Sequence, residues 1–125
     1  MITVDYKSRQ PLYEQIIERV ENLALLGLLP PDSQLPSVRQ LAAELSINPN
    51  TIQRAYGDLE KRGVIYSLPG RGSFVAARSE ELRERKKQAL WEDLQKLIDA
   101  AGTLGVSRDD FAARSAEYFA LKEQA

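Results

Sequence analysis

The chain has 125 residues, 43% hydrophobic and 28% charged, a balance that fits one globular domain or a small domain with an appendage. Lys and Arg number 17 against 18 Asp and Glu, and the resulting net charge of −1, as a whole-chain average, argues against a nucleic-acid binder. Cysteine and histidine are both absent, which excludes disulfides, thiolate nucleophiles, Cys/His zinc sites and the commonest general acid–base group, so neither a cofactor nor enzyme chemistry is expected.

Residues 1–10 read as a lead-in. They lack the basic start and apolar run of a signal peptide, and nothing downstream approaches the ~20 apolar residues of a membrane span. A soluble, cytoplasmic protein with no membrane partner is expected. From Pro11, placed in a first turn, Leu12, Tyr13, Ile16, Ile17, Val20, Leu23 and Ala24 recur at helical spacing, and Gly27 is the expected stop. Pro30, Pro31 and Pro36 make Leu28 to Pro36 an extended connector.

Ser37 and Gln40 form a capping box for a second helix with Val38, Leu41, Ala42 and Leu45 on its apolar face. Ser46-Ile47-Asn48 is a short break. Asn48 caps a third helix with Pro49 at its first position and Ile52, Ala55, Tyr56 and Leu59 inward; Gly63 ends it. Val64 to Leu68 and Ser73 to Val75 read as strands joined by a four-residue loop, Pro69-Gly70-Arg71-Gly72. Residues 80–101 form a long helix, Gly102 to Val106 a loop, and Ser107 opens a last helix, with Asp110 as its acidic capping partner. The pair reads as a helical hairpin.

Helix, helix, short turn, helix and β-hairpin within residues 11–77 is the order of a winged helix-turn-helix. The outward face of the third helix carries Asn50, Gln53, Arg54 and Lys61, which can donate to base edges and phosphates. Gly57 lies among them at a cost of roughly 1 kcal/mol relative to alanine; it either admits a close DNA backbone or is a neutral surface residue. Charge follows the same division. Residues 35–78 carry Arg39, Arg54, Lys61, Arg62, Arg71 and Arg78 against Glu44, Asp58 and Glu60, a net of +3, while residues 1–34 and 79–125 each carry −2.

These residues resemble the GntR transcriptional regulators, in particular the small YtrA-like subgroup. The resemblance rests on Pro11-Leu12-Tyr13-Glu14-Gln15-Ile16, the Leu35-Pro36-Ser37-Val38-Arg39 run, Asn48-Pro49-Asn50-Thr51 through Tyr56, and Gly70-Arg71-Gly72-Ser73-Phe74-Val75. It implies a bacterial dimeric repressor on a palindromic double-stranded DNA operator, often encoded beside transporter genes. It also implies Arg39 on phosphate, Asn50, Thr51, Gln53 and Arg54 on bases or phosphates, and Gly70, Arg71 and Gly72 toward the minor groove. Ser37 and Asn48, from the same runs, complete the expected DNA-binding set. The chain departs from the pattern in having Pro49-Asn50 where many members carry arginine or a serine–arginine pair. It also has Pro31-Asp32 where Pro-Gly is common.

The 47 residues of 79–125 are too few for an ordinary ligand-binding domain. Two amphipathic helices can pack on the winged helix, on a second copy, or on both, and the resemblance implies the second copy. Residues 1–77 are therefore expected to be the winged helix-turn-helix DNA-binding domain and residues 78–125 the helical dimerisation region. Leu90, Trp91, Leu94, Leu97, Ile98, Phe111, Tyr118 and Phe119 are the expected dimer contacts. Trp91, Tyr118 and Phe119 are either that dimer core or the lining of a site for a small apolar effector. The fold class expected is mostly α with a small β-hairpin. A winged-helix protein-interaction module and an enzyme are the competing functions; the basic face opposes the first, and the missing His and Cys oppose the second.

Overall fold

The computed structural model describes residues 1–77 and 79–124. Arg78, counted in the positive segment, lies outside the described residues. Among the described residues, five helices and one antiparallel hairpin follow in order: α1 Leu12–Leu25, α2 Val38–Leu45, α3 Pro49–Lys61, β1 Ile65–Leu68, β2 Gly72–Val75, α4 Ser79–Thr103 and α5 Arg108–Glu123. The chain divides into two compact units, Met1–Glu84 and Arg85–Ala125.

Local chemistry sets the helix ends of the first unit. Pro11 is the residue before α1 and not its first residue; its carbonyl accepts from Glu14 N and Gln15 N. Ser37 caps α2 by accepting from Gln40 N at 3.1 Å, and the Gln40 side chain accepts from Ser37 N at 2.9 Å. Asn48 Oδ1 accepts from Asn50 N at 2.9 Å, with Pro49 opening α3. Gly27 and Gly63, with φ of 76° and 75°, end α1 and α3 in the left-handed region that glycine enters without strain.

The inward stripes of α1, α2 and α3 meet the base of the hairpin. Ile16, Val20, Leu23, Leu41, Ile52, Leu59 and Val75 are fully buried there. Ile2 from the lead-in and Leu82 from the start of α4 join the same core. Arg83 Nη2 donates to the Leu25 carbonyl at 2.8 Å, so this unit takes in the opening of α4.

Tyr56 packs into this core and donates its hydroxyl to the Pro36 carbonyl at 2.7 Å. Burial, and next the Glu44 carboxylate, hold its phenol well above the ordinary tyrosine value of 10.0. The fold thus favours the neutral phenol. That stabilisation is full below pH 10.0 and is lost as pH rises beyond it toward the folded-state value. Tyr56→Phe is expected to lower stability at neutral pH by about 1 kcal/mol, through the lost hydrogen bond, and to make the decline above pH 10.0 shallower. Denaturant titrations at neutral and alkaline pH check both parts.

β1 and β2 pair antiparallel with Leu68 opposite Gly72 and Ile65 opposite Val75. Gly72 therefore belongs to the strand, and the loop is Pro69-Gly70-Arg71, one residue shorter than expected. Arg71 N donates to Leu68 O at 2.9 Å and Gly70 has φ 74°, the pattern of a type II turn with proline then glycine at its centre.

The connector is also more ordered than its prolines imply. Leu35 N donates to Ser73 O at 2.9 Å, Val75 N to Ser33 O at 2.9 Å and Asp32 N to Val75 O at 2.7 Å. Residues 32–35 thus line the free edge of β2. Asp32 takes φ 66°, in the left-handed region that glycine enters more easily than aspartate.

In the second unit Ser107 Oγ accepts from Asp110 N at 3.1 Å, capping α5, and Gly105 has φ 75° in the turn before it. α4 and α5 are joined by this short turn but do not lie packed along their lengths. No residue of 85–124 is buried. Leu90, Trp91, Leu97, Ile98, Tyr118 and Phe119 are each more than half exposed, and Leu94 and Phe111 are half-buried.

Candidate nucleic-acid interface

The α2–turn–α3 unit presents the expected reading residues on its outer side. Arg39 stands exposed in the first turn of α2, and Asn50, Gln53 and Arg54 are exposed on α3, with Thr51 half-buried. Their inward neighbours Ile52, Ala55, Tyr56 and Leu59 are buried, so burial of one stripe fixes the direction of the other. Gly57 stands at the margin of this face, and a Cβ added there would meet nothing within 4 Å.

Two members of the expected set hold the scaffold. The Ser37 and Asn48 side-chain oxygens are the acceptors that cap α2 and α3. Both caps sit at helix N-termini, where backbone N–H groups and the helix dipole favour an anion.

Arg54 is held by a contact that the sequence did not reveal. Its guanidinium carbon lies 3.6 Å from the centre of the Tyr13 ring, a cation–π stack that ties α3 to the first turn of α1. The Tyr13 hydroxyl donates to Glu14 Oε1 at 3.2 Å. The helical spacing puts Tyr13 in the apolar stripe of α1, and its ring also carries this contact. Arg62, at the end of α3, pairs with the buried Glu21 carboxylate at 3.5 Å, which offsets part of its charge. Among the described residues, the positive field of this segment therefore rests chiefly on Arg39, Arg54, Lys61 and Arg71.

At the hairpin tip Gly70, Arg71 and Gly72 are all exposed. Tyr66 and Phe74 stack across the strands with ring centres 5.6 Å apart. The Tyr66 hydroxyl donates to Asp32 Oδ1 at 2.7 Å, and this bond is the main cause that holds the exposed phenol above its ordinary value. The connector is thereby tied to the base of the wing. A second tie lies at the tip, where Gln34 Nε2 donates to Arg71 O at 2.8 Å. Neither Gln34 nor Asp32 carried a signal in the sequence, because their partners lie more than thirty positions away in the chain.

A family profile described as "Bacterial regulatory proteins, gntR family" matches residues 12–75. The chain belongs to the GntR family. Its GntR segment spans the capped helices, the turn and the wing, and ends with β2. The family's repressor YtrA of Bacillus subtilis is 42% identical over 107 residues, which cover 85% of this chain and 82% of that protein. A transcriptional regulator of Oenococcus oeni, solved as a crystal structure, superposes with a TM-score of 0.77 at 28% identity, covering 95% of this chain and 99% of the other. The AraR DNA-binding domain, crystallised with operator ORE1, superposes with a TM-score of 0.52 at 30% identity over 61% of this chain and 93% of that one. The GntR relatives are transcriptional regulators and not enzymes. Among the described residues, no helix of this GntR chain is long and apolar enough to cross a membrane.

Proposed function

We propose that the protein is a homodimeric, sequence-specific DNA-binding repressor acting on a palindromic operator. The observation that carries this is the outer face of α2, α3 and the wing: exposed Arg39, Asn50, Gln53, Arg54 and Arg71 on a segment whose inward face is fully packed. The likeness to a domain solved with operator DNA supports the DNA partner. Likeness to the YtrA repressor supports the direction of control. In this reading α3 enters the major groove, where Asn50, Thr51, Gln53 and Arg54 meet base edges or phosphates. Arg39 and the N-terminus of α2 hold phosphate, and Arg71 reaches the minor groove between Gly70 and Gly72. Ser37 and Asn48 act at the same surface through the helix ends they cap.

The second unit supports the dimer in this reading. With no residue of 85–124 buried in the single chain, its apolar side chains need a partner. Leu90, Trp91, Leu94, Leu97, Ile98, Phe111, Tyr118 and Phe119 are assigned to a second copy, which gives the twofold symmetry that a palindrome mirrors. Phe111, Arg114, Ser115, Tyr118 and Phe119 line an open groove of about 390 Å³, which Trp91 does not reach. The groove belongs to the same exposed surface, and dimer contact is its assigned role; a small-molecule effector has no enclosed site in it. Control of transporter genes is an expectation from the subgroup, and a cytoplasmic setting is one from the sequence.

Arg39→Ala tests the proposal. Affinity for a duplex that the wild-type protein selects from a randomised pool is expected to fall roughly tenfold or more, and equally for a scrambled duplex. The slope of log affinity against log salt is expected to lose about one unit. Fluorescence anisotropy over a salt series reads both. An unchanged affinity and slope would remove the phosphate role from Arg39.

A further inference from the structure

We infer that Gln34, in the proline-rich connector, is the positioning residue for the wing arginine, and that it locks the wing to the segment that carries Arg39. The inference rests on the reading of Arg71 as a DNA contact.

Three observations lead to it. First, residues 32–35 pair with the free edge of β2, and Gln34 stands directly opposite Phe74. The flanking bonds, Leu35 N to Ser73 O and Val75 N to Ser33 O, place the Gln34–Phe74 pair between them, so the two side chains share one face of the ladder at close range. Second, the Gln34 amide runs along this face to the tip and donates to the Arg71 carbonyl at 2.8 Å. Third, Gly72 makes the passage possible. A Cβ built there would lie 2.9 Å from Gln34 Nε2, and its φ of 113° is one that side chains rarely adopt. Gly72 thus opens β2 and clears the path of the latch.

The chemistry asks for an uncharged donor of this length. A carboxylate of the same size has no proton to give to a carbonyl at neutral pH, and an apolar chain has no donor. The geometry gives the latch its consequence. Gln34 immediately precedes Leu35, which is buried, and Pro36 and Ser37, where the capping box starts the helix that bears Arg39. One short segment therefore fixes the start of α2 and, through a single amide, the backbone of Arg71. The Tyr66–Asp32 bond secures the other end of the same segment. Without the latch, the tip turn is free to rock on its two glycines, and Arg71 must be ordered when DNA binds.

The test is a double-mutant cycle in the full chain with Gln34→Met and Arg71→Ala. Binding is measured on a duplex that the wild-type protein selects from a randomised pool. Gln34→Met keeps the length and removes the donor; Gln34 is exposed, so the fold is expected to survive, and the thermal midpoint confirms it. Gln34→Met is expected to weaken binding by about 3- to 10-fold when Arg71 is present and by less than about 2-fold in the Arg71→Ala background. Additive losses would overturn the latch while leaving the DNA-binding reading intact, as would wild-type affinity for Gln34→Met. An Arg71→Ala variant that binds as tightly as wild type would remove the contact to be positioned. Failure of the wild-type protein to select any duplex would overturn the functional reading and the latch with it.

Discussion

Replacing Leu90 and Leu97 together by aspartate is expected to convert the protein to a folded monomer and to weaken operator binding by roughly 10²- to 10⁴-fold. The two leucines are 57% and 59% exposed in the single chain, so nothing within one copy resists the change. In the proposed dimer each is buried, a gain of about 1.5–3 kcal/mol per large apolar side chain. A carboxylate there must either lose its water or keep the copies apart, and the second is cheaper. Once the copies separate, each winged helix reads a half-site alone and the second contact is no longer intramolecular. Sedimentation velocity and anisotropy titration of the same samples check the two halves. A dimer that survives both charges would place the interface elsewhere.

The second large effect is inside the reading unit. Leu59→Ala on α3 is expected to cost about 2–5 kcal/mol, because Leu59 is fully buried and a cavity remains where its side chain stood. For a unit of this size that lowers the melting temperature by more than about 10 °C. Scanning calorimetry measures it. The effect on DNA affinity well below the melting temperature is expected to be small, since Leu59 points away from the reading face. A large loss of affinity in a variant that remains folded would mean that α3 shifts as it repacks.

What could be read from sequence was mostly local. Ser37 with Gln40, Asn48 with Pro49, Gly63 and Ser107 each announce a helix end through a bond that spans at most four residues, and the structure forms the helices there. The inward stripes were equally plain, because burial repeats at the helical period. Long-range pairing was not legible. Pro30, Pro31 and Pro36 mark an irregular connector, yet residues 32–35 pair with β2 about forty positions away. The alternation needed to see a strand is absent over so short a stretch. The sequence makes the wing loop one residue too long, because Gly72 looks like a turn residue yet opens β2 at a φ of 113° that side chains rarely adopt.

The candidate site divides the same way. Arg39, Asn50, Gln53, Arg54 and Arg71 stand exposed where the motifs put them. The sequence held no sign that Arg54 rests on Tyr13 or that Arg62 serves Glu21, since each partner lies on α1. The average charge of −1 concealed a positive segment between two acidic ones, and only position along the chain separated them.

The central claim is that this surface reads DNA sequence as a symmetric pair. Selection of duplexes from a randomised pool by the 125-residue chain at moderate salt tests it most directly. The account predicts enrichment of an inverted repeat with half-sites one or two helical turns apart, bound by two copies of the chain with strongly salt-dependent affinity. Recovery of unenriched duplexes, or of a lone half-site bound by one copy, would contradict it.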